Sequence, residues 1–126
     1  MAKSKENVVL DKPELRVKVR VGGGAIGPGK IRLLELIDES GSISSAARHC
    51  GMDYRRAQYL LETLSDAMET TLVKTSIGGA SGGGAELTAD GRALIAAFHA
   101  LQNSVRRAAI EDLLTIDQLH RRATDG

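Results

Sequence analysis

The sequence of 126 residues predicts a mostly α-helical fold with a small β element. Three observations carry this. Apolar residues recur at spacings of three and four in successive stretches between Pro28 and Leu119, the period of helices that bury one face. Two of these stretches are separated only by a short turn around Gly51. A β-branched run, Thr71 to Ser76, precedes a glycine-rich segment and a short AELT segment, the pattern of a hairpin with a long tip. A hydrophobic fraction of 42%, a charged fraction of 26% and a net charge of +1 belong to an ordinary globular chain with apolar material for one modest core. One domain over residues 14–126, behind a polar and mobile tail at 1–13, is expected.

From Leu15 to Val21 the chain alternates, with Leu15, Val17, Val19 and Val21 on one face and Arg16, Lys18 and Arg20 on the other, as in a half-buried strand with a basic outer face. The Gly22 to Gly29 stretch ends it, and Pro28 suits the first turn of a helix running to Ser40, with Leu33, Leu34 and Ile37 inward and Gly41 as its stop. Ser42 and Ser44 offer N-caps to a short helix whose Ile43, Ala46, Ala47 and Cys50 form a small, alanine-rich face that another helix can approach closely. Gly51 stops that helix and Asp53 caps the next, about Tyr54 to Met68, which buries Ala57, Leu60, Leu61, Leu64 and Met68. Arg55, Tyr59, Glu62 and Asp66 point away from this stripe, with Arg56 and Gln58 on its flanks. Two helices joined in this way make a helix-turn-helix, here over residues 42–68. The hairpin at 71–88 then reads as a wing, and Thr88 caps a last helix at 89–120 with Leu94, Phe98, Leu101 and Val105 on one face. That stripe continues less regularly toward Leu119 with no internal core to cover, which predicts a dimer interface. The architecture expected is a winged helix-turn-helix with a long C-terminal dimerisation helix.

Several chemistries find no support. A single cysteine, Cys50, makes no internal disulfide and no structural zinc site, and its helix position suits a small buried hydrophobe. His49, His99 and His120 are scattered, without a carboxylate or serine in a recognisable relation, so no enzyme is expected. Gly24-Ala25-Ile26-Gly27-Pro28-Gly29-Lys30 fits the G-x-x-x-x-G-K spacing of a phosphate-binding loop. The next residue, however, is Ile31 where a hydroxyl must reach magnesium, and no second strand ending in Asp follows. Lys30 is left for a phosphate of DNA. No apolar run is long enough for a membrane span, and the polar start resembles no secretory signal, so a cytoplasmic location is expected. No cofactor and no metal are expected.

The second helix of a helix-turn-helix enters the major groove with its N-terminal residues leading, and Arg55, Arg56, Gln58 and Tyr59 lie in its first two turns. Arginine bonds guanine bidentately, glutamine bonds adenine, and a tyrosine hydroxyl reaches phosphate or a base edge. Glu62 and Asp66 repel phosphates, so the helix should tilt away from DNA beyond its first turns. In the wing, glycines allow close approach to the DNA backbone or minor groove.

The stretches GPGKIRLLELIDESGSISSAARHCGMDYRRAQYLLETL and LVKTSIGGASGGGAELTADGRALI resemble the N-terminal DNA-binding domain of the ModE family of molybdate-responsive regulators. The resemblance rests on a G-S-I-S-x-A-A helix, a G-M-x-Y-R-x-A turn and a glycine-rich wing leading to L-T-x-x-G, and covers about Gly27 to Leu101. LysR-type regulators share only the first and last of these. The resemblance implies DNA contacts by Ser44, Tyr54, Arg55, Arg56 and Gln58, with Tyr59 beside them, and by Lys74, Thr75, Gly78, Gly79, Ser81 and Gly82 of the wing. It also implies a dimer built by the first and last helices, through Leu33, Ile37, Leu94, Phe98, Leu101 and Val105. A symmetric dimer would place two recognition helices in major grooves about 34–36 Å apart on a palindromic operator of double-stranded DNA. The oxyanion-binding domains of ModE regulators have no counterpart after the last helix, so molybdate is not expected to bind this chain. A protein-interaction module that pairs with and modulates a longer regulator is the alternative reading.

Overall fold

A computed structural model describes residues 12–76 and 84–125. In chain order the elements are β1 (Val19–Val21), β2 (Gly24–Ile26), α1 (Pro28–Ser40), α2 (Ile43–His49), α3 (Tyr54–Met68), β3 (Val73–Ser76), β4 (Gly84–Leu87) and α4 (Ala89–Asp125). The protein is thus mostly helical, with two small antiparallel strand pairs and a long C-terminal helix. It divides into two compact units. One is Val17–Phe98; the other comprises the rest of α4 and the described residues ahead of Val17.

The alternation from Leu15 to Val21 holds in burial, with Arg16, Lys18 and Arg20 exposed and the apolar partners half-buried. Only its last three residues form a ladder, because the partner strand is itself three residues long: Val19 faces Ile26, Arg20 faces Ala25 and Val21 faces Gly24. The stretch expected simply to end the strand therefore returns as β2. Gly22 and Gly23, with φ of 54° and 81°, supply the two positive-φ residues that a tight hairpin of matching twist needs. A side chain at Gly22 would also strike the backbone oxygen of Ala67 at the end of α3.

The three short helices follow their capping chemistry. Pro28 opens α1, and Gly41, left-handed at φ 73°, closes it with its N–H on the Ile37 carbonyl at 2.8 Å. The Ser42 hydroxyl accepts from the Ser45 N–H at 3.1 Å to start α2, and Asp53 accepts from the Arg56 N–H at 2.8 Å to start α3. Leu33, Leu34 and Ile37 of α1, Ala46 and Ala47 of α2 and Ala57 and Leu64 of α3 meet in one core with Leu72, Leu87 and Phe98. Alanine on the facing sides of α2 and α3 lets these helices lie close across their turn. Leu60 and Met68 of the expected α3 stripe are half-buried, and Ala67 is buried with it.

Thr88 joins the strands to α4. Its hydroxyl donates to the Thr71 carbonyl at 2.7 Å and accepts from the Gly91 N–H at 3.1 Å, capping the helix. The helix then runs unbroken to Asp125, longer and more regular than the spacing beyond Val105 suggested. Leu33 and Ile37 are 1% and 0% exposed and Phe98 is 4% exposed, all within the core of the first unit. These three expected dimer residues have no surface left to bury against a second copy. Exposed apolar area lies instead further along α4, at Leu101, Ile110, Leu114, Ile116 and Leu119.

Candidate nucleic-acid interface

The outer face of α3 is built by the burial of its inner one. With Ala57, Leu61 and Leu64 committed to the core, the helix period leaves Arg55, Arg56, Gln58, Tyr59, Glu62 and Asp66 in solvent. Tyr54 and Tyr59 are 45% and 58% exposed. No ion pair with another described residue ties down Arg55, Arg56 or Lys74.

Two adjoining recesses connect this face to the β3–β4 pair. One, of about 310 Å³, is lined by Ser42 and Ser44 at the start of α2, Tyr54 at the start of α3, and Thr75, Ser76 and Gly84 of the strands. The other, of about 270 Å³, lies between the outer flank of α3 and β3, with Gln58, Glu62, Asp66 and Thr75 among its walls. Of the residues expected from the sequence, the fold brings together Ser44, Tyr54, Gln58 and Thr75. Arg55, Arg56 and Tyr59 stand on the same helix but line neither recess. Lys74 lines a third hollow with Thr75, Ser76 and Gly84, and pairs in register with Glu86 across the ladder. Gly78, Gly79, Ser81 and Gly82 lie outside the described residues.

What holds the strands against the helices is a backbone bond from the Ala85 N–H to the Gly41 carbonyl, at 2.9 Å, where α1 ends. The register Ser76 to Gly84 then sets both residues at the last described pair of the ladder, beside Ser42. Sequence reasoning missed Ser42, Ser76 and Gly84 as parts of this surface. Ser42 was visible only as a cap, and the pairing that recruits Ser76 and Gly84 is tertiary.

The Gly24–Lys30 sequence forms no phosphate cradle. Its first three residues are β2, Ile31 is buried, and the Lys30 ammonium donates to the Ala25 carbonyl at 2.8 Å. Among the described residues no group of three or more His, Cys, Asp or Glu side chains could hold a metal ion, and no helix is long and apolar enough to cross a membrane.

The chain matches no family model. Among curated proteins it is 40% identical over 89 residues to the molybdenum-pterin-binding protein MopA of Rhodobacter capsulatus, covering 71% of this chain and 34% of MopA. It is 38% identical over 80 residues to the molybdenum transport protein ModE of Azotobacter vinelandii, covering 64% of this chain and 30% of that protein. With the DNA-binding transcriptional dual regulator ModE of Escherichia coli K12 the identity is 37% over 81 residues, 64% of this chain and 31% of the regulator. The chain spans about a third of the length of the curated relatives it matches. None of these three is named for a catalytic activity.

Proposed function

We propose that this chain is a ModE-like DNA-binding transcriptional regulator, working as a homodimer through a winged helix-turn-helix. In this reading α2 and α3 are the helix-turn-helix, α3 is the recognition helix and the β3–β4 hairpin is the wing. The observation that carries it is the outer face of α3, where Arg55, Arg56, Gln58 and Tyr59 stand exposed on the first two turns and Gln58 lines a recess that reaches Thr75. A helix presenting arginine, glutamine and tyrosine at its leading end has the donors that read base edges in a major groove. The shared third of the relatives is taken as their DNA-binding part, and no molybdate site is assigned to it.

Dimerisation falls to α4 beyond the core. Leu101 and Val105 remain from the expected stripe, and Ile110, Leu114, Ile116 and Leu119 add exposed apolar area. The same surface supports a second reading, in which the chain pairs through α4 with a longer relative and modulates it. Size-exclusion chromatography with light scattering separates the two, since a stable homodimer leaves that surface occupied.

Titration of the purified protein against a ModE-type palindromic duplex and a scrambled one, at several salt concentrations, tests the main reading. Palindrome-dependent binding that weakens with salt is expected. Arg55→Ala should then lose about 1–3 kcal/mol on the preferred duplex and relax specificity at one base pair. Unchanged affinity and unchanged preference would mean that α3 does not dock this way.

A further inference from the structure

We infer that α4 carries a second self-association surface, built by Ile110, Leu113, Leu114 and Asp117, through which one copy of the chain pairs antiparallel with another and so joins two homodimers. This rests on the homodimer reading above, which it confines to another side of the helix, and adds to it a second contact with a defined register.

Exposed apolar side chains stand on two sides of α4, not one. At 100° per residue, Leu101, Ile116 and Leu119 fall within about 60° of one another. Ile110 and Leu114 fall within about 40° of each other and at least about 120° from any of those three. One facing helix covers one such side, so a homodimer seam along Leu101, Ile116 and Leu119 leaves Ile110 and Leu114 in water. That second side has the form of a helix-pairing site. Ile110, Leu113, Leu114 and Asp117 stand at i, i+3, i+4 and i+7, the four positions that make a hole for a side chain of a facing helix, and they surround a hollow of about 140 Å³ with Lys12 and Pro13 at its edge.

Charge selects the occupant and its direction. Arg107 precedes Ile110 by three residues and Asp117 follows Leu114 by three, so the apolar group has a cation at one end and an anion at the other. A parallel copy would set Arg107 against Arg107 and Asp117 against Asp117. An antiparallel copy, on a two-fold axis near Asp112, sets Arg107 of each chain against the partner's Asp117 and Ile110 against the partner's Leu114. The same register drops each Ile110 into the hole of the other chain. Arg107 is exposed and makes no ion pair with another described residue, its guanidinium only donating to the Ser104 hydroxyl at 3.5 Å. Asp117 holds Arg121 through Oδ2 at 3.1 Å, while its buried Oδ1 has no hydrogen-bond partner among the described residues. A guanidinium arriving at the rim of the hollow satisfies that carboxylate.

So short a seam makes a weak contact, which forms after the first and only as concentration rises. The test is sedimentation of the full chain over a wide range of concentration, with helical circular dichroism recorded for every variant. The wild type is expected to pass from dimer to tetramer. Ile110→Ser with Leu114→Ser should stop at the dimer, and so should Asp117→Arg alone. Adding Arg107→Asp to Asp117→Arg should bring the tetramer back, because the exchanged charges meet again across the axis. A wild type that is monomeric throughout would overturn the homodimer reading, and this contact with it. A wild type that stays dimeric at every concentration, or a tetramer that the Ile110 and Leu114 variant keeps, would overturn the second contact alone. A wild-type dimer that the same variant dissolves would put the homodimer itself on this side and overturn the division into two contacts. A tetramer that the exchanged pair does not restore, with helicity intact, would overturn the antiparallel register.

Discussion

Gly91 shows what a single residue contributes at the junction of strand and helix. A methyl group there would meet the backbone oxygen of Leu72 and crowd the Leu87 side chain, so α4 can start against the strands only because position 91 has no side chain. Thr88, three residues earlier, caps the same turn. The L-T-x-x-G sequence of Leu87, Thr88 and Gly91 is legible as a resemblance, but its physical reason is a contact between residues nineteen apart. Gly91→Ala should destabilise the fold by about 1–3 kcal/mol despite alanine's better helix propensity, because the clash is with backbone and cannot turn aside. Chemical denaturation with an unchanged midpoint would show that α4 shifts freely, contrary to the packing seen. Lys30 is a second residue whose role is tertiary: its ammonium is held by the Ala25 carbonyl, which no spacing rule foretells.

Among elements, the three helices α1 to α3 were readable because each carries its own start, stop and buried stripe within a few residues. Pro28 and Gly41, Ser42 and Gly51, and Asp53 are local signals, and the bonds they predict are present. β2 was missed because three residues carry too little alternation, and its identity comes from the Gly22-Gly23 turn and from packing on α3. The same helix that offers Arg55 at its start carries Glu62 and Asp66 further along, and both line the groove facing β3 beside Gln58 and Thr75. DNA docked on Gln58 and Thr75 would bring phosphates near these carboxylates. At about 10 Å in water-like surroundings, one such pair repels by roughly 0.4 kcal/mol. Glu62→Gln with Asp66→Asn should therefore tighten binding about two- to fivefold on palindromic and scrambled duplexes alike at low salt, with the gain shrinking as salt is raised. Weaker binding in an anisotropy titration would show that the carboxylates contact DNA favourably, for example by accepting from cytosine.

For the molecule as a whole, the question is what covers α4. Ile116 and Leu119 are 53% and 55% exposed, on the same helix as the exposed Leu101, Ile110 and Leu114. Burying one such side chain stabilises an interface by roughly 1.5–3 kcal/mol. If two copies pair through this region, Ile116→Ser with Leu119→Ser should shift the mass measured by light scattering from dimer to monomer, with the helical circular dichroism retained. A mass that stays dimeric would place the interface elsewhere.

The sequence by itself determined the helices, their caps and the identity of the exposed side chains on α3, because a helix period and a capping hydroxyl act within a turn or two of chain. Tertiary structure alone decided that Leu33, Ile37 and Phe98 close the chain's own core. It also decided that Ser42, Ser76 and Gly84 join Tyr54 around one recess. Both outcomes depend on which faces meet after the β4 backbone bonds to the end of α1, and that choice rests on packing between residues more than forty positions apart.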